Sequence, residues 1–208
     1  EPLFVPGSAM DTWEGCASIS DKDGKLLFYA SGNKIWDMNN KIMLNGDGIL
    51  GNSSATQSCI IIPSPSNSNQ YYVFTVDAVE SQQNGFRYSI VDMSYNLGLG
   101  DVISKNILIN SSPIERLTAI QHSDKSSYWI IVHIWQNNEY LAYLLNKDGI
   151  SSEPVRSYGL NISPRATGSV IKPTLDGKLI ASAHSVAKVI EIFDFDNSTG
   201  RMALKHNV

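Results

Sequence analysis

Charge is scarce in this chain. Only 17% of its 208 residues are charged, and the 16 Lys and Arg never form a run. With 20 acidic residues the net charge is −4. There is no basic face to release counterions from a nucleic acid, which argues against that class of partner. Long apolar runs are missing too. Nothing approaches the roughly 18 to 20 residues of a spanning helix, so no membrane insertion is expected. Cysteine is limited to Cys16 and Cys59, with no CxxC or Cys/His spacing for zinc. Both sit in expected strands and read as buried free thiols, with a disulfide as the sharper alternative. His122, His133, His184 and His206 show no H-x-x-x-H spacing. G-x-S-x-G, P-loop and dinucleotide fingerprints are absent, and Gly98-Leu99-Gly100 lacks a third glycine. The sialidase Asp-box is absent as well. No metal, no cofactor and no catalytic set is therefore expected. There is no initiator Met, which leaves room for a removed leader. No stretch holds a 3.6-residue period, so no helix is expected.

What is present is a strand-and-turn grammar. Pro2, Pro6 and Gly7 make the opening segment extended or loop-like. Residues 14–45 then read as four short strands, with turns at Asp21-Lys22-Asp23-Gly24, Ser31-Gly32-Asn33 and Met38-Asn39-Asn40. The plan repeats over 58–110, 117–158 and 169–206. Asp176-Gly177-Lys178-Leu179 echoes Asp23-Gly24-Lys25-Leu26 at the same place in its unit. Four strands per unit, at a period of about 50 residues, mark a β-propeller. The fold class is thus all-β, a propeller of four-stranded antiparallel blades. About four blades are present, a partial seven-bladed ring within a single domain over 1–208. A sandwich is the rival, and the repeated DGKL turn favours the propeller.

Longer stretches carry a resemblance. EGCASISDKDGKLLFYASGNKIWDMNNKIM, GNSSATQSCIIIPSP, YYVFTVDA, FRYSIVDMSYNLGLGDV, LTAIQH, YWIIVHIW and FDFDNSTG occur in this order. Together they resemble the propeller near the start of large secreted Bacteroidota proteins. Those proteins carry PKD-type domains and gliding-motility-associated or type IX secretion C-terminal domains. The resemblance implies a WD40-like or YVTN-like propeller, secreted or at the cell surface, with a role in adhesion. It implies no catalytic residue set. A seven-bladed ring needs roughly 300 or more residues, so other blades or another chain are expected to complete it, unless four blades close more tightly.

Candidate ligand residues follow from the rim where blades join. His133 and Trp135 alternate onto one face at a strand end, a pair that could stack on a sugar or pack between blades. Asn137 follows in the same loop. Thr56 and Gln57 enter an inner strand and could line the channel or satisfy a tight bend. His184 opens another rim loop. Glu14, Asp21 and Asp23, and likewise Asp194, Asp196 and Asn197, offer oxygen ligands without a calcium-loop spacing. The expected function is a noncatalytic module binding a glycan or protein ligand. The alternatives are a propeller enzyme, such as a glycosidase or lyase, or a structural spacer. An enzyme would bring a His and a carboxylate, or two carboxylates, together in the central pocket.

Overall fold

The structure is a computed structural model that describes residues 6–162 and 169–208, leaving aside the side chain of residue 114. The loop expected around Pro2 lies outside the described residues. Four antiparallel units follow one another. The first holds β1 (Cys16–Ser20), β2 (Leu26–Ser31), β3 (Lys34–Asp37) and β4 (Ile42–Asp47). The second holds β5 (Cys59–Pro63), β6 (Gln70–Thr75), β7 (Phe86–Asp92) and β8 (Asp101–Asn110). In the third, β9 (Pro113–Gln121), β10 (Tyr128–Ile134) and β11 (Glu139–Asn146) precede the two-residue β12 (Gly149–Ile150) and β13 (Val155–Tyr158). The fourth is β14 (Ile171–Pro173), β15 (Leu179–His184), β16 (Val189–Asp196) and β17 (Arg201–Asn207).

The turns explain why the strands stop where they do. Asp21 accepts the N–H groups of Asp23 and Lys25, and Asp37 those of Asn39 and Lys41. Asp92, Asp124 and Asp196 hold Ser94, Ser126 and Ser198 in the same way. A short carboxylate that bonds the backbone two residues on folds the chain back without a helix. These aspartates all serve connections from a first to a second strand or from a third to a fourth. They therefore share one rim; on the opposite rim Asp77, after β6, accepts the N–H groups of Ala78, Gln83 and Asn84.

Packing between units supplies the core. β1, β5, β9 and β14 lie side by side in that order. Phe28, Ile35, Val73 and Val91 pack between the first two units. Phe74, Phe86, Ile130 and Leu141 pack between the second and third, and Ile131, Ile180 and Phe193 between the third and fourth. Each such side chain contributes about 1.5–3 kcal/mol when fully withdrawn from water. A radial series of sheets with inner strands in sequence is a propeller-like all-β fold, not a sandwich. The outer strands β4 and β8 also meet, parallel at Leu44 and Asp101, and fuse the first two units into an eight-stranded sheet. Lys105 Nζ reinforces that seam through the carbonyls of Asn45 and Asp47.

Several expectations are corrected. Cys16 is exposed, because β1 is an inner strand and Cys16 alternates away from the core that takes Ala17. Cys59 is a buried free thiol set 3.4 Å from the Ala30 carbonyl, and burial pushes its pKa up to about 12. β9 starts at Pro113 rather than Leu117, and β14 at Ile171 rather than Ser169. Among the described residues the only helical element is a three-residue 3-10 turn, Asn96–Gly98, which needs no 3.6-residue period. Among the described residues no helix is long and apolar enough to cross a membrane.

Candidate active site

A polar cluster lies between the third and fourth units, at the rim opposite the Asp turns. It begins with a bulge. β9 places three residues, 114–116, against His133 alone on β10, and Glu115 adopts φ 68°. A non-glycine residue in this left-handed region is uncommon and is held by its surroundings. The Glu115 carboxylate accepts the N–H and hydroxyl of Thr56 at 3.1 and 3.0 Å, and the Val79 N–H at 2.9 Å. Arg116, in phase with Ile120, faces the fourth unit. Its Nη1 donates to Ser182 Oγ at 3.0 Å and to the Ala183 carbonyl at 2.9 Å, both on β15.

From there a hydrogen-bond chain runs inward. Tyr140, at the start of β11, lies 2.8 Å from Ser182 Oγ and donates to Glu191 Oε2 at 2.6 Å. With its one proton given to Glu191, the Tyr140 oxygen accepts from Ser182. Glu191 Oε2 also lies 2.6 Å from His184 Nε2, and Oε1 accepts the Leu160 N–H. A carboxylate only accepts, so His184 carries a proton on Nε2. Gly159 is a glycine for a local reason, since a Cβ there would collide with Glu191 Oε1. Glu191 is 1% exposed. Burial pushes its pKa up, but bonds from His184, Tyr140 and Leu160 outweigh burial and leave it below the usual Glu value.

His133 stands at the edge of this chain. Its ring packs edge-on to Tyr140 at 4.6 Å and to His184 at 5.9 Å. It is half-buried, and its nitrogens make no hydrogen bond among the described residues. Burial first, then the charge of Arg116 and the neighbouring His184, hold its pKa well below 6.5. At neutral pH it is an uncharged imidazole with a free acceptor.

The other sequence candidates are placed differently. Gln57 pairs its amide with both backbone groups of Ile171, at 3.2 and 2.7 Å, and so ties the entry to β5 onto β14. Thr56 is bound to Glu115. Asn137 is exposed and caps the Asn138 N–H. Trp135 follows β10, with its indole N–H buried and unpartnered. The central cavity, about 510 Å³, is lined by Cys16, Thr56, Gln57, Thr118 and Lys172 among others, with no His or carboxylate. The His–carboxylate pair expected of an enzyme in the central pocket is not in that lining; His184 and Glu191 pair within the fourth unit instead. The two weak calcium readings do not converge. No group of three metal ligands occurs among the described residues, Asp194 pairs with Lys205, and Asp196 closes its turn.

Arg116, Tyr140, Ser182 and Glu191 escaped the sequence reading. Glu191 left a trace there. It falls on the same alternation as Val189, Phe193 and Phe195, an acid in an inward-facing series.

Stability should track these groups. The folded pKa of His133 lies below its unfolded 6.5, so stability is complete above that value and falls as the unfolded chain gains the proton first. Glu191, with an ordinary value of 4.5, and Asp92, Asp124, Asp176 and Asp196, at 3.8, are all lowered in the fold. Their contributions persist above those values and are lost as pH drops through them. Urea midpoints measured from pH 8 to pH 3 should be flat above 7, dip below 6.5 and fall steeply below 4.5. A midpoint that rises on acidification would contradict this assignment.

No protein-family model and no curated protein matches this sequence. Solved structures do share its fold. One is a candidate 6-phosphogluconolactonase from Bacteroides uniformis, 15% identical with a TM-score of 0.52 over 92% of this chain. A second, from Bacteroides fragilis, carries the same description at 12% identity and a TM-score of 0.50, again over 92% of this chain. The third is a periplasmic gluconolactonase from Pseudomonas aeruginosa, at 11% identity and a TM-score of 0.52, over 92% of this chain. This chain spans about half of each, 54%, 56% and 53% of their lengths. These matches correct the expectation of a noncatalytic binding module. These three neighbours are described as lactonases, and the likeness to them is one of fold.

Proposed function

We propose that this chain forms part of a propeller hydrolase that opens a lactone, with its reacting centre at the mouth between the third and fourth units. The observation that carries this reading is the neutral, unpartnered His133 beside a buried Arg116 and the Glu191–His184–Tyr140 chain. A water molecule attacks the lactone carbonyl carbon, and His133 takes its proton. The resulting oxyanion is stabilised by the fixed positive charge of Arg116. The ring C–O bond then breaks, and the leaving oxygen takes the proton back from His133, giving a hydroxy acid. Glu191, Tyr140 and His184 position the groups and exclude water.

In the same reading the four units are blades of a larger ring, completed by further blades or by another chain. The free face of the fourth blade supports this, since Leu179, Ala181, Ile190 and Ile192 there lie only partly covered or exposed. The resemblance to Bacteroidota surface propellers supports a placement outside the cytoplasm. The test is hydrolysis of glucono-δ-lactone by the intact protein, followed by proton release. A rate above the spontaneous one, lost in Arg116→Met, is expected. A rate equal to the spontaneous one overturns the proposal.

A further inference from the structure

Trp135 has a feature that packing leaves unexplained. Among the described residues its indole Nε1 is the sole buried side-chain nitrogen or oxygen without a hydrogen-bond partner. Buried donors are nearly always satisfied, and an orphaned one costs about 1–3 kcal/mol, so it calls for a reason. Its direction can be read from the ladder. Ile134 pairs with Pro113, and the Trp135 N–H continues to the Ser112 carbonyl at 3.2 Å. The strand direction therefore holds through Trp135, and two-residue alternation puts its side chain on the side of His133. That side faces the fourth unit, because His133 meets His184 there. Gln136, next in the turn, sits at φ 55°, and Asn137 is exposed. The indole thus hangs from a strained four-residue hairpin at the lip of the site.

We propose that Trp135 is a specificity-determining residue whose indole N–H is satisfied by a hydroxyl oxygen of a polyhydroxylated ring ligand, held against the indole beside His133. This rests on the reading of the mouth between the third and fourth units as the ligand site. The ligand is rich in hydroxyl acceptors. The donor is closed to water in the free protein, so ligand entry shifts the 135–138 hairpin. A ligand without hydroxyls gives nothing to this donor.

The test compares Trp135→Phe, which keeps an aromatic face and loses the donor, with the wild type in the intact protein. Binding of gluconate, the ring-opened product, is measured by calorimetry, and hydrolysis is measured on glucono-δ-lactone and on unsubstituted δ-valerolactone. Expected is a loss of about five- to tenfold in gluconate affinity and in kcat/KM for the hydroxylated lactone, the range of one neutral hydrogen bond, with δ-valerolactone unchanged. Equal losses on both lactones, or none on either, overturn the role of Trp135 while the lactonase reading stands. If gluconate binds and Trp135→Phe weakens it, but no lactone is hydrolysed, the contact stands and the lactonase reading falls. Absence of both binding and hydrolysis overturns both.

Discussion

Replacing Glu191 with alanine is expected to destabilise the protein by about 3–5 kcal/mol, the cost of removing one partner from a buried charged network. Three donors converge on that carboxylate, from Tyr140, His184 and the Leu160 backbone. Alanine leaves the His184 and Leu160 donors without this acceptor, while Tyr140 can turn to Ser182 Oγ at 2.8 Å, and the space cannot admit water cheaply, because Tyr140 and Ser182 are fully buried. The loss falls on the interface between the third and fourth units, since Glu191 is on β16 and Tyr140 on β11. Glu191→Gln keeps an oxygen acceptor and should lose less. Urea denaturation with an unchanged m-value would report the difference as stability alone. A Glu191→Ala midpoint equal to that of the wild type would mean that the network carries no weight.

The second large effect is on rate. His133→Gln should lower kcat for lactone hydrolysis by roughly 10²–10⁴-fold, the usual worth of a general base. Folding should survive, because His133 makes no hydrogen bond that glutamine must replace. The pH profile adds a sign. The base works unprotonated, and its pKa lies well below 6.5, so the wild-type rate should hold through pH 6 and decline only at more acidic values. His133→Gln should lose that acid limb altogether. A variant with full kcat and the same acid limb would assign the base elsewhere, with His184 Nδ1 the first alternative.

The strand plan was legible because turn chemistry is local. Asp21 to Lys25 closes on itself with two bonds from one carboxylate, and such a motif is readable in any window. The unit order followed from the same signals, including the Asp23-Gly24 echo at Asp176-Gly177, where both glycines take positive φ. The site was harder. His133 and His184 were visible as rim residues, yet 51 positions separate them, and nothing local says that their rings meet. Arg116 is in phase with Ile120, on the side of the fourth unit, but nothing local says that it meets Ser182, 66 positions away. Glu191 required noticing an acid in phase with buried aromatics. Gln57 shows the opposite case. It was suspected as a channel-lining ligand residue, and its amide is taken up by Ile171, 114 positions away. The exposure of Cys16 follows from its place on β1, where it alternates away from the core that takes Ala17.

The most direct measurement is a crystal structure of the intact protein soaked with gluconate. Density within hydrogen-bond reach of His133 and Arg116, with one hydroxyl on the Trp135 indole N–H, is the expected result. Gluconate bound in the central cavity near Lys172, with the mouth between the third and fourth units unoccupied, would contradict the assignment of the catalytic centre.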